Sequence, residues 1–165
     1  MKILFLDIDG VLNSRRYDRE RDPATQGNID ETRLLLLCRI LEETGARIVL
    51  STSWRLYWDP DPTRCAPEWA AVGRSLARFG LKAYDRTPAY NGNNRDREIR
   101  DWLEAHRGEV ESFAILDDTP YGWGDLADRL VRTDPNRGRG LMESHAEQVI
   151  GLLQTPWNGG GAVEI

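Results

Sequence analysis

With 165 residues, of which 40% are hydrophobic and 30% charged, the chain suits one soluble globular domain with a sizeable core. No apolar run is long enough for a membrane span, and Lys2 is followed by only four apolar residues before Asp7, too few for a signal peptide, so a cytoplasmic protein is expected. The net charge of −5 argues against a basic face for bulk duplex DNA, while the cations are almost all arginine, whose planar donors suit phosphate.

Lys2-Ile3-Leu4-Phe5-Leu6 is a continuous apolar run, broken by Asp7-Ile8-Asp9-Gly10. Such a run reads as a buried parallel strand, with Asp7 at its C-terminal end. That edge of an open α/β sheet is where ligands bind. Two carboxylates this close repel each other unless a cation such as Mg²⁺ relieves them. The local sequence also admits plain turn residues here.

Ser14 to Gly27 is charged and aperiodic, and is predicted as a loop or small flap over the site. Asp30 is placed to cap a helix in which Leu34, Leu37, Cys38 and Leu41 share a face and Gly45 marks the end. Arg47 to Leu50 is the second strand and ends in Ser51-Thr52. Their hydroxyls and the fresh N–H groups there suit phosphate oxygens, or the cap of a following turn, and both readings stand. Leu56 to Pro67 is irregular, and Glu68 to Phe79 is a helix with Trp69, Val72, Leu76 and Phe79 inward. Leu81 to Tyr84 is predicted as the third strand and Asp85 to Asn94 as a loop.

Arg95 to His106 is a helix with Ile99, Trp102 and Leu103 inward. Arg95 and Arg97 in its first turn oppose the helix dipole at a small cost, a placement open equally to a site role and to a plain surface one. Phe113 to Leu116 is the next strand and ends in Asp117-Asp118, again adjacent carboxylates. Arg129 to Arg132 is the last strand and Leu141 to Leu153 the closing helix. The domain is therefore drawn as residues 1–154, followed by a loose tail, 155–165. Cys38 and Cys65 form neither a disulfide framework nor a zinc spacing, and His106 and His145 read as surface or helix-end residues.

The alternation of strands and helices predicts a three-layer α/β fold, a Rossmann-like parallel sheet with helices on both faces. Parallel strands point one way, so Asp7 and Asp9, Ser51 and Thr52, and Asp117 and Asp118 meet at one edge. Arg95, Arg97 or Lys82 would supply the cation. The set outlines a phosphoryl-transfer site. Neither Asn13 to Asp30 nor Trp54 to Pro67 is long enough for a full cap domain, so the cap is minimal or missing. Tyr17, Trp54, Tyr57 and Trp58 in these segments either stack on a base or pack within the loops.

In these motifs the chain resembles the haloacid dehalogenase (HAD) superfamily of aspartate-nucleophile phosphatases. Asp7-Ile8-Asp9-Gly10-Val11-Leu12 resembles the first motif, Ile48-Val49-Leu50-Ser51 the second and Ile115-Leu116-Asp117-Asp118 the fourth. For the single basic residue of the third, Arg95 is favoured, with Arg97 and Lys82 as alternatives. Ser51-Thr52-Ser53-Trp54-Arg55, Trp102-Leu103, and Arg132-Thr133-Asp134 with Gly140-Leu141 resemble more narrowly the small HAD domains associated with RNA-repair proteins. The resemblance implies a Mg²⁺-dependent phosphatase in which Asp7 is the nucleophile and Asp9 the general acid, then base. It implies that Asp7, the Asp9 backbone carbonyl, Asp117 and Asp118 surround the metal, and that Ser51, Thr52 and Arg95 hold the phosphoryl oxygens. The expected partner is a phosphorylated substrate, more narrowly a nucleotide or nucleic-acid end. The alternative is a non-catalytic binding or regulatory module of the same fold, which the intact Asp7 and Asp9 disfavour.

Overall fold

The computed structural model describes residues 1–92 and 94–159. Five strands form one parallel sheet: β1 (Lys2–Leu6), β2 (Arg47–Leu50), β3 (Ala83–Arg86), β4 (Ser112–Asp117) and β5 (Leu130–Arg132), in the order β3-β2-β1-β4-β5. The helices are α1 (Arg15–Glu20), α2 (Glu31–Thr44), α3 (Ala70–Arg78), α4 (Arg95–Ala105) and α5 (Glu143–Leu153). Side chains alternate across a sheet, so β1 sends Leu4 and Leu6 to one face and Ile3 and Phe5 to the other. Leu4 and Leu6 join a core with Leu34, Leu37 and Ile40 of α2, Val72 and Leu76 of α3, and Val149 and Leu153 of α5. Ile3 and Phe5 pack with Ile99, Trp102 and Leu103 of α4, and with Trp123 and Leu126. This is the three-layer α/β arrangement that the sequence predicts.

The strand order places the site. The chain runs outward from β1 through β2 to β3 on one side, and through β4 to β5 on the other, so β1 lies at the switch point where an open sheet forms its crevice. Leu6 is paired with both Leu50 and Leu116. Asp7, one residue on, is therefore flanked by Ser51 and Asp117. The Ser51 N–H donates to the Leu6 carbonyl at 2.9 Å, and the Asp7 N–H to the Leu116 carbonyl at 3.0 Å.

Several expectations need correction. The segment from Ser14 to Gly27, predicted as a loop or small flap without periodicity, contains α1, which is capped by the Ser14 hydroxyl accepting from the Tyr17 N–H. Its six residues bury only Tyr17, too few to leave a hydrophobic period in the sequence. Leu56 to Pro67 is irregular as expected, with short 3₁₀ turns in place of a longer helix or strand. The third strand starts two residues later than predicted, because the Leu81 N–H still bonds back to Leu76 at the end of α3. The beginning of the expected loose tail is bound: the Trp157 N–H donates to the Glu111 carbonyl at 2.8 Å and its ring stands edge-on to Phe113. Asn93 of the predicted loop and residues 160–165 of the tail lie outside the described residues. The segments between β1 and α2 and between β2 and α3 stay short, with no separate cap domain among the described residues. No described helix is long and apolar enough to cross a membrane.

Candidate active site

Three carboxylates converge at the crevice. Oxygens of Asp7, Asp117 and Asp118 all lie within 4.8 Å of one another. Asp7 is 3% exposed and Asp117 fully buried. Asp7 Oδ1 accepts from the Ile8 N–H at 2.8 Å, and Asp117 Oδ1 from the Thr119 N–H at 2.9 Å. Arg95, reaching in from the start of α4, bridges them. Its Nη1 lies 2.9 Å from Asp7 Oδ2, 2.7 Å from Asp117 Oδ2 and 2.9 Å from the Ser51 carbonyl oxygen. The first-turn arginine that runs against the helix dipole thus meets two carboxylates, which outweigh that small local cost.

The electrostatics of this group are unbalanced. One guanidinium faces three carboxylates, of which Asp7 and Asp117 are buried and Asp118 is half-buried. Burial pushes the Asp7 carboxyl up to about 8, Asp117 and Asp118 add to the shift, and Arg95 opposes it. Asp118 is raised by burial and then by Asp117. Burial disfavours the charge on Arg95, yet Asp7 and Asp117 more than offset it and hold its pKa above the ordinary value. A hard divalent cation with oxygen ligands fits this donor set and would supply positive charge there. Gly10 makes room for the Asp118 carboxylate: with φ at +83°, a conformation that favours glycine, a Cβ there would stand 2.3 Å from Asp118 Oδ2.

Asp9 stands apart from the carboxylate cluster, exposed at the mouth of the crevice. Two donors orient it. Asn13 Nδ2 donates to Oδ1 at 2.9 Å, and the indole N–H of Trp54 to Oδ2 at 3.0 Å. The part expected of Asp9 at a metal belongs to its backbone carbonyl, so the outward carboxylate does not conflict with it. The turn that carries Asp9 and Gly10 is held by the Asn13 carboxamide on the Gly10 N–H and by the Thr133 hydroxyl on the Gly10 carbonyl.

Ser51 and Thr52 differ. Both are buried, but the Thr52 hydroxyl accepts from the Trp54 N–H at 3.4 Å and caps the following 3₁₀ turn. The Ser51 hydroxyl has no partner among the described residues. A buried hydroxyl costs stability unless something bonds to it, so Ser51 is the better placed donor for a ligand oxygen. Of the alternative cations, Lys82 precedes β3, at the sheet edge away from the crevice, and Arg97 is exposed over the Tyr90 ring. Neither is brought to the site.

Two of the four candidate stacking aromatics are committed to the fold. Tyr17 is buried, its hydroxyl shared between the Gly27 and Ile29 carbonyls, and Trp58 belongs to the core. Trp54 and Tyr57 stay partly exposed, edge to face with ring centres 6.1 Å apart. Asn13, Thr133, Arg55 and Glu98 have structural parts at the site that the sequence reading does not assign. Asn13 lies four residues from Asp9, a spacing that local reasoning can reach. The other three depend on contacts between distant segments.

The family model of the HAD domain in Swiss Army Knife RNA repair proteins matches residues 3–146. No curated protein and no solved structure matches the chain.

Proposed function

Because the chain belongs to the family of HAD domains in Swiss Army Knife RNA repair proteins, we propose that this HAD-type hydrolase is a Mg²⁺-dependent phosphatase, cleaving a phosphate monoester through an aspartyl-phosphate on Asp7. The observation that carries the reading is the bridge from Arg95 to both Asp7 and Asp117 beside the unpartnered hydroxyl of Ser51. One Asp7 oxygen attacks phosphorus in line, and the ester oxygen leaves on the opposite side. Asp9, exposed at the mouth, gives its proton to that leaving oxygen and then takes one from the water that hydrolyses the aspartyl-phosphate. Ser51 and Arg95 hold the phosphoryl oxygens, and Thr52 keeps its capping role. Asp7, Asp117, Asp118 and the Asp9 carbonyl are the groups that would hold Mg²⁺, whose charge offsets that of the phosphoryl group and the buried carboxylates.

The narrower reading is a nucleotide or nucleic-acid end as substrate. Three observations favour it: the RNA-repair description of the family, the absence of a cap domain among the described residues, and the partly exposed Trp54 on Asp9 with Tyr57 edge-on to its ring. The test is phosphate release from p-nitrophenyl phosphate and from 3′- and 5′-phosphorylated oligonucleotides, with Mg²⁺ and with EDTA, for wild type and Asp7→Asn. Metal-dependent turnover that disappears in Asp7→Asn is expected. Turnover that persists in Asp7→Asn removes the aspartyl-phosphate route. Silence on every substrate favours a binding module instead.

A further inference from the structure

We infer that the buried Arg55–Glu98 ion pair is a positioning strut, which sets where Arg95 stands relative to Asp7 and Ser51. Arg55 follows Ser51 by four residues in the segment after β2. Glu98 follows Arg95 by three, one helical turn further along α4. Their side chains are 8% and 4% exposed, with Arg55 Nη2 2.5 Å from Glu98 Oε2. The two elements that hold the phosphoryl group are thus tied twice. One tie is Arg95 on the Ser51 carbonyl, and the other is Arg55 on Glu98. The core packing of Ile99, Trp102 and Leu103 seats the inner face of α4. The buried pair adds a directional tie one turn from Arg95, between the first turn of α4 and the segment that follows Ser51.

The surroundings lock the strut at both ends. Arg55 Nη1 donates to the Thr52 carbonyl at 2.6 Å, and Glu98 Oε2 also accepts from the Tyr90 N–H at 3.0 Å. Arg86 Nη1 reaches the carbonyls of Arg55 and Trp58. Stability alone does not explain such a pair, since buried ions pay a desolvation penalty that well-packed apolar residues avoid. Burial indeed drags the Arg55 pKa below its usual value, against the pull of Glu98. Direction is what the ions add, because a guanidinium and a carboxylate fix an angle that an apolar contact does not.

The kinetic consequence rests on the phosphatase reading; the geometric one does not. In Glu98→Gln, which keeps the shape and an acceptor, kcat/KM on p-nitrophenyl phosphate is expected to fall about 10²-fold, the scale of a misplaced binding group. If the strut acts through Arg95, Glu98→Gln added to Arg95→Ala brings no further loss. Additive losses overturn the inference. The Nε–Hε resonance of Arg95, assigned by its disappearance in Arg95→Lys, gives a readout without turnover. It is expected to move in Glu98→Gln and in the milder Arg55→Lys, which serves if the first variant fails to fold. A resonance that stays in place in a folded variant overturns the strut. Movement of the resonance in a chain without phosphatase activity keeps the strut and removes the proposed function.

Discussion

The Ser51 hydroxyl is buried without a partner among the described residues, and a folded protein retains such a group at a cost. Thr52, its neighbour, spends its hydroxyl on a cap. The two substitutions therefore separate binding from folding. Ser51→Ala removes an unsatisfied group, so stability should hold or rise by up to about 1 kcal/mol. Activity should move the other way, with kcat/KM falling about 10²-fold if the hydroxyl bonds a phosphoryl oxygen that gains charge in the transition state. Urea unfolding and p-nitrophenyl phosphate kinetics on the same variant check both signs. A destabilised variant with wild-type kinetics would make Ser51 a structural residue.

At the scale of elements, the sheet and its two cores are legible because continuous apolar runs such as Ile3 to Leu6 and the stripe Ile99, Trp102 and Leu103 need no distant partner to be recognised. Asp7, Ser51 and Asp117 are legible for a related reason. Parallel strands share one direction, so their polar ends must meet. The helix α1 is not legible, since it is held by long-range bonds from a single Tyr17 hydroxyl. Nor is the Arg55–Glu98 pair, whose partners lie on different elements. Tyr17 carries its own prediction. Tyr17→Phe removes the one hydroxyl proton that the Gly27 and Ile29 carbonyls share and should cost about 1–3 kcal/mol in unfolding free energy. Because the ring is buried, the ratio of kcat/KM for nucleotides to that for p-nitrophenyl phosphate should not change. Tyr57→Ala, on the exposed side of Trp54, should lower that ratio instead, as a stacking surface would. A reversal of the two results would return Tyr17 to the substrate side.

At the scale of the whole molecule, the buried carboxylates link stability to pH and to the cation. Burial raises Asp7 from its unfolded value of 3.8 to about 8, and Asp118 moves in the same direction. Between those limits the folded chain binds more protons than the unfolded chain. Stability is therefore complete below about pH 4 for this group and is lost as pH rises towards about 8, by at most about 1.4 kcal/mol per pH unit. His145, lowered by burial, works in the opposite sense, favouring the fold as pH rises through its ordinary range. Asp7→Asn isolates the two. In EDTA, wild type should melt lower at pH 8 than at pH 5, and Asp7→Asn should lose most of that difference. On the proposed function Mg²⁺ would bind the ionised carboxylates, so it should raise the wild-type melting temperature more at pH 8 than at pH 5, and the Asp7→Asn temperature far less. An Mg²⁺ effect of equal size at both pH values, or one undiminished in Asp7→Asn, would place the cation away from this cluster.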